Sequence, residues 1–157
     1  MNALQTAGSI AKRNGADLKL LHVFDLDNTL YPEDNMGSNS NPDIAIKSLN
    51  RLATSVKNGD GVNCGIICIP GFVPNAILQT AKEENCDIIV MGKNGNAGYR
   101  EMYAGTNTYN VIKKSDCPVL LVPSGKMYES FTNVLFPARP VISVFEKYEL
   151  IRPIILK

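Results

Sequence analysis

Three glycines and two threonines in the second half of the chain have types and spacing that suit phosphate binding. The pattern is G-x2-G-x9-G-T, formed by Gly92, Gly95, Gly105 and Thr106, with Thr108 two residues on. Glycines allow bare backbone N–H groups to approach a phosphate, and a helix N-terminus adds unpaired donors and a positive dipole end. The spacing is neither GxGxxG nor GxxxxGK[ST], so a glycine-rich surface loop before an ordinary capped helix is the alternative interpretation.

Two aspartates earlier in the chain form a competing candidate site. The segment FDLDNTLYP at 24–32 resembles DxDx[TV][LV], the first motif of haloacid-dehalogenase-like phosphatases. That resemblance implies Asp25 as the nucleophile and Asp27 as the general acid and base, with Mg²⁺ held by further carboxylates. The chemistry also needs a distal acidic pair, and neither MGK at 91–93 nor VPS at 122–124 supplies an acid. A solvated Asp/Asn turn is the alternative.

The composition favours one compact domain that does not bind nucleic acid. The chain has 157 residues, 45% of them hydrophobic, and 16 basic against 15 acidic residues give a net charge of +1. A large basic field is therefore absent. We expect a cytoplasmic protein, because no apolar run is long enough for a membrane span or a signal peptide. The four cysteines lack paired metal-ligand spacing, which favours buried thiols in a reducing compartment, and we predict no metal site.

Hydrophobic periodicity predicts alternating helices and strands that would position these residues. We expect helices over 3–14, 42–58, 74–85 and 106–114 and strands over 18–24, 62–69, 87–91 and 118–123, with a long surface loop at 25–41. The nearly continuous apolar strands suggest cover on both faces. This order predicts an α/β fold with an open, doubly wound parallel sheet and ligand sites at the carboxyl ends of its strands. A helix comes first, without the usual opening strand.

Three stretches of the chain resemble the universal stress protein family. They are ALQTAGSIAKRNGADLKLLHVFD at 3–25, CDIIVMGKNG at 86–95 and AGTNTYNVIKKSDCPVLLVP at 104–123. The resemblance covers residues 1–123, which we take as the family domain, and the glycine pattern is its most specific part. It implies an adenine nucleotide alpha hydrolase-like fold with strand order 3-2-1-4-5, and a regulatory or stress-response role. No catalytic residue is implied, and ATP hydrolysis would be weak at most.

The resemblance also implies a ligand and a partner. The ligand is ATP, with or without Mg²⁺. The phosphates and ribose would lie at the glycine pattern and its helix start, beside Met91 and Thr108, while the backbone of Val23 would contact adenine. The partner would be a second copy of the chain, paired through the apolar edge strand PVLLVP at 118–123. A nucleotide-free dimerisation or regulatory module is the second hypothesis, and the phosphatase is the third.

The last 34 residues, 124–157, are expected to form a linker followed by a strand and a helix. FTNVLFPAR at 131–139 resembles the family's first strand, as if a second repeat began there. Arg139 falls where the family has an aspartate near the adenosine, which favours the nucleotide-free module. We expect NVLFP at 133–137 to fill the place of the missing central strand, either in the same chain or in a partner by domain swapping.

Overall fold

A computed structural model describes residues 2–24, 42–92, 105–125, 133, 135 and 144–155. The helices in this part of the chain are α1 (Asn2–Asn14), α2 (Pro42–Asp60), α3 (Val73–Glu83), α4 (Thr106–Lys114) and α5 (Val144–Ile155). The strands are β1 (Leu18–Phe24), β2 (Cys64–Pro70), β3 (Ile89–Gly92) and β4 (Val119–Val122). The predicted α/β class is confirmed, and the predicted loop at 25–41 lies outside the described residues.

The first helix and strand form where the hydrophobic pattern predicts them. Helix α1 buries an apolar stripe that includes Ala7, Ile10 and Ala11. It ends before Gly15, whose φ of 61° suits the left-handed turn that closes a helix. Strand β1 follows at Leu18–Phe24, and its residues are mostly half-buried. Helices α1, α2 and α3 all contact β1, and cover of both its faces stays a prediction.

Helix α2 is longer than the sequence predicts. It continues through Asn58 and Gly59 to Asp60. The residue that ends it is Gly61, with a φ of 70° and a backbone N–H that donates to the Lys57 carbonyl over 3.0 Å. Because the left-handed conformation occurs at Gly61, Gly59 can remain helical.

The four described strands form two separate pairs, and the strands within each pair are parallel. Strand β1 pairs with β2 from Leu18 opposite Cys64 to Phe24 opposite Pro70. Strand β3 pairs with β4 from Ile89 opposite Val119 to Gly92 opposite Val122. No pairing between β1 and β3 is found among the described residues. These two pairings agree with the two outer pairs, 3-2 and 4-5, of the expected 3-2-1-4-5 order. The way in which the two pairs are joined stays a prediction.

Helix α1 lies close to both strand pairs. It contacts β1 in the first pair and β3 in the second, and it also packs on α2. The packing against α2 is tight: a Cβ on Gly8 would lie 2.9 Å from the Asp60 Oδ2 atom. Ala11 joins Val56 and Val62 in a buried cluster beside the start of β1. The core of the described chain therefore lies under α1.

After β4 the structure describes the expected helix, α5. In α5, the last turn contacts α1, where Arg13 Nη2 donates to the Ile154 carbonyl oxygen over 3.4 Å. Of residues 133–137 the structure describes Asn133 and Leu135, and neither lies in a strand. Leu135 is 92% exposed. Strand formation over 133–137 stays a prediction, because Val134, Phe136 and Pro137 lie outside the described residues.

Candidate functional site

The N-terminus of α4 is open to solvent at the position where the glycine pattern ends. Gly105 is the N-cap residue, with φ −55° and ψ 155°, and no side chain caps this helix start. Its carbonyl accepts the first helical hydrogen bond from the Tyr109 N–H over 3.0 Å. A Cβ built on Gly105 would meet no atom within 4 Å among the described residues. The free N–H groups of the first turn are therefore approachable by an anion.

The first turn of α4 has one hydroxyl facing solvent and one facing the protein. Thr106 is exposed, whereas Thr108 is only 5% exposed. Val111, one turn further, is fully buried and fixes the helix on the protein. The first turn contains no acidic residue. Of the two predicted threonines, Thr106 is thus better placed to meet a ligand, and no described carboxylate there repels a phosphate.

Two other predicted contact positions lie at the carboxyl ends of strands. Met91 is half-buried near the end of β3, and Gly92, its last residue, is exposed. Val23 is half-buried near the end of β1, opposite Ile69 of β2. Gly95 lies outside the described residues. Val23 therefore lies on one strand pair and Met91 with Gly92 on the other, and the described residues show no hydrogen bonds between the two pairs.

A histidine next to Val23 has an environment that the sequence did not reveal. The Nε2 atom of His22 is buried and has no hydrogen-bond partner among the described residues. The His22 ring packs edge-on against Phe24, with ring centroids 4.9 Å apart and an interplanar angle of 85°. The sequence indicated only a residue at the edge of the core, because an apolar strand around a lone histidine does not report the state of its nitrogen atoms. A buried ring nitrogen without a partner is an exception to the usual pairing of buried polar groups.

The competing phosphatase site cannot be built from the described residues, since Asp25 and Asp27 lie outside them. Within the described ranges no group of three His, Cys, Asp or Glu side chains could hold a metal ion. All four cysteines are free and half-buried rather than fully buried as expected. Partial burial raises the pKa of the Cys64 and Cys86 thiols, which keeps both in the unreactive thiol form at neutral pH.

The comparisons with known sequences all indicate the same family. A model of the universal stress protein family matches residues 1–123. The chain is 29% identical to the universal stress protein YxiE of Bacillus subtilis over 130 residues, or 76% of this chain and 88% of that protein. It is 43% identical to the universal stress protein MJ0577 of Methanocaldococcus jannaschii over 56 residues, or 36% of this chain and 35% of that protein.

Solved structures with the same fold agree with this assignment. The universal stress protein UspA from Lactobacillus plantarum superposes with a TM-score of 0.64 at 21% identity, covering 76% of this chain and 86% of that one. MJ0577 superposes with a TM-score of 0.60 at 26% identity, covering 75% and 87%. Two further neighbours were solved with nucleotides. One universal stress protein is in complex with cAMP (TM-score 0.56, 23% identity, coverage 77% and 84%), and one from Archaeoglobus fulgidus is in complex with dAMP (0.55, 18%, 76% and 84%).

No helix among the described residues has the length and apolar character needed to cross a membrane.

Proposed function

The chain belongs to the universal stress protein family, and we propose that it binds an adenine nucleotide, ATP in particular, in a regulatory or stress-response role. The observation that carries this proposal is the uncapped N-terminus of α4, where Gly105 leaves open space and Thr106 is exposed. A phosphate group is the ligand that such a helix start stabilises, through unpaired N–H groups and the dipole.

The structural neighbours support the adenine part of the proposal. One is in complex with cAMP and another with dAMP, so the shared fold accommodates an adenine base and a phosphate. In this chain the backbone of Val23 would contact the adenine. Gly92, Gly95 and Gly105 would approach the phosphates and ribose, with Met91 beside them and Thr106 as hydroxyl donor.

Magnesium would enter the site with the nucleotide rather than through a cage of side chains. The first turn of α4 has no acid, and the described residues hold no carboxylate cluster. Mg²⁺ is commonly bound by substrate phosphates with one or two carboxylates and waters. We therefore expect ATP binding to tolerate removal of Mg²⁺ better than a site built on metal-ligand carboxylates would.

A nucleotide-free dimerisation or regulatory module is the second candidate function. It is favoured by Arg139, which falls where the family resemblance places an aspartate near the adenosine. In that case the open helix start at Gly105 would be an ordinary surface feature. The two functions differ in one measurable property, which is whether nucleotide stabilises the folded chain.

The deciding experiment combines mass spectrometry of small molecules released from the purified protein with calorimetric titration of ATP, with and without Mg²⁺. Released adenine nucleotide, or heat on titration together with a rise in melting temperature, supports the proposal. GTP serves as the matched control, since it offers the same phosphates with a different base. The absence of both heat and thermal shift at millimolar ATP would refute nucleotide binding and leave the module as the function.

A further inference from the structure

Two cysteines lie at the same end of the second strand pair, where its strands begin. Cys86 is three residues before β3, and Cys117 is two residues before β4. The backbone hydrogen bonds between the two segments reach almost to the cysteines, because the Ile89 N–H donates to the Pro118 carbonyl over 2.9 Å. The pairing of β3 with β4 therefore holds two thiol-bearing segments side by side.

The spacing of paired strands brings these two cysteines within reach of a disulfide bond. The register of the pair puts Ile89 opposite Val119. Continued by two residues toward the amino ends, it puts Cys117 opposite Asp87, the residue next to Cys86. Paired strands lie about 4.8 Å apart and rise about 3.3 Å per residue, which gives a distance of about 6 Å between the Cα atoms of Cys86 and Cys117. Disulfide-bonded cysteines have Cα atoms about 4.4–6.8 Å apart.

Burial and charge indicate that both thiols turn toward the same space. Asp87 and Asp116, each next to one of the cysteines, are exposed, whereas Cys86 and Cys117 are half-buried. Burial raises the pKa of Cys86 most, and the nearby Cys117 raises that pKa further, so the two sulfur atoms are close enough to interact. The Cys117 backbone is fixed in place, since its N–H donates to the Ser115 Oγ atom over 3.3 Å.

The other two cysteines cannot pair with each other. Cys64 and Cys68 lie four residues apart on β2, which is about 13 Å along a strand. Their partners in the register of β1 are Leu18 and His22, and neither carries a thiol. These two cysteines therefore serve as internal controls for the pair at the start of β3 and β4.

We propose that Cys86 and Cys117 are a redox-sensitive site, and that they form a reversible disulfide bond on reaction with a small disulfide such as oxidised glutathione. The Cys117 thiolate attacks the small disulfide, so a mixed disulfide forms and one small thiolate leaves. The Cys86 thiolate then attacks the Cys117 sulfur, and the second small thiolate leaves. The protein loses two protons and two electrons, and the small disulfide is reduced to two thiols.

The new bond would enclose the part of the chain that carries the candidate nucleotide site. Residues 87–116 lie between the two cysteines and include Gly92, Gly105 and all of α4. Closing a loop of about 30 residues lowers the entropy of the unfolded chain, so the oxidised protein should melt about 5 °C or more above the reduced protein. Formation of the bond does not depend on nucleotide binding.

The first test counts free thiols in the full chain after incubation with oxidised glutathione. We expect the four free thiols to fall to two with no glutathione left on the protein, and peptide mapping to join Cys86 to Cys117 within one chain. The reaction should speed up about tenfold for each pH unit above neutral, because the Cys86 thiol must lose its proton.

Serine variants identify the cysteines that react. Cys86→Ser should stop at a mixed disulfide between Cys117 and glutathione, whereas Cys64→Ser is the matched control and should form the Cys86–Cys117 bond at an unchanged rate. Four unreacted thiols in the unchanged chain, or stable mixed disulfides at both Cys86 and Cys117, would overturn the proposal.

The second test needs no variant and so remains decisive if a serine variant fails to fold. The melting temperature of the unchanged chain is measured after oxidation, and again after reduction with excess dithiothreitol. We expect a rise of about 5 °C or more on oxidation that reduction reverses. An oxidised chain that melts at or below the temperature of the reduced chain would show that the bond does not fit the fold, and the proposed site would be wrong. Absence of ATP binding in both forms would refute the nucleotide site and leave this result unaffected.

Discussion

Replacement of Gly105 by leucine tests the nucleotide site with little disturbance of the fold. Gly105 has φ −55° and ψ 155°, a conformation open to any residue, and its side-chain position faces open space. It makes no side-chain capping hydrogen bond that a substitution could remove. Glycine is a better N-cap than an aliphatic residue, so we expect the folded state to lose about 0.5–1 kcal/mol. The melting temperature should fall by about 1–4 °C.

The same substitution should remove most of the nucleotide affinity. A leucine side chain would fill the space through which a phosphate reaches the first-turn N–H groups of α4. Hydrogen bonds to charged groups contribute about 1.5–3 kcal/mol each, so the loss of two weakens binding by about 3–6 kcal/mol. That is a factor of at least about 100 in the dissociation constant. A ligand present at about 100 times its dissociation constant stabilises the unchanged protein by about 2.7 kcal/mol, and most of that stabilisation should disappear.

The assay is calorimetry together with thermal shift, on the unchanged chain, Gly105→Leu and a matched control. The control is Gly59→Leu, because Gly59 is an exposed glycine in α2 with open space around its Cβ position. Gly59→Leu should bind ATP like the unchanged chain. If Gly105→Leu folds normally and binds ATP with unchanged affinity, the helix start at Gly105 does not hold the phosphates and the argument for this site is wrong.

Three further predictions concern stability, catalysis and assembly. Val111→Ala should lower the free energy of unfolding by about 2 kcal/mol, because Val111 is fully buried. Ile112→Ala should lower it by less than about 0.5 kcal/mol, because Ile112 is 45% exposed. Chemical denaturation measures both changes. The protein should not hydrolyse a chromogenic phosphate ester with Mg²⁺, and turnover that is lost in Asp25→Asn would instead establish the phosphatase. The β4 edge (Val119–Val122) should pair with another copy, so its amides should exchange more slowly at high protein concentration, and protection independent of dilution would contradict this pairing.

Local pattern was sufficient to predict the elements that lie next to the candidate site. The run LKLLHVF predicts the bounds of β1, and the periodicity of TNTYNVIKK predicts those of α4. Both elements bury apolar side chains at positions set by their own period, so neighbouring residues carry the signal. Helix ends were less predictable. The end of α3 at Glu83 depends on Asn85, whose φ of 49° only the folded chain reveals.

Long-range features of the site were not predictable in the same way. The pairing of β1 with β2 and of β3 with β4 agrees with the alternating pattern, but the buried His22 Nε2 and the exposed Leu135 depend on residues distant in the chain. The glycine spacing predicts that Gly105 precedes a helix, and the structure agrees. Whether Val23 and Gly92 contact the same ligand depends on how their two strands are arranged in space. The local sequence pattern does not determine that arrangement.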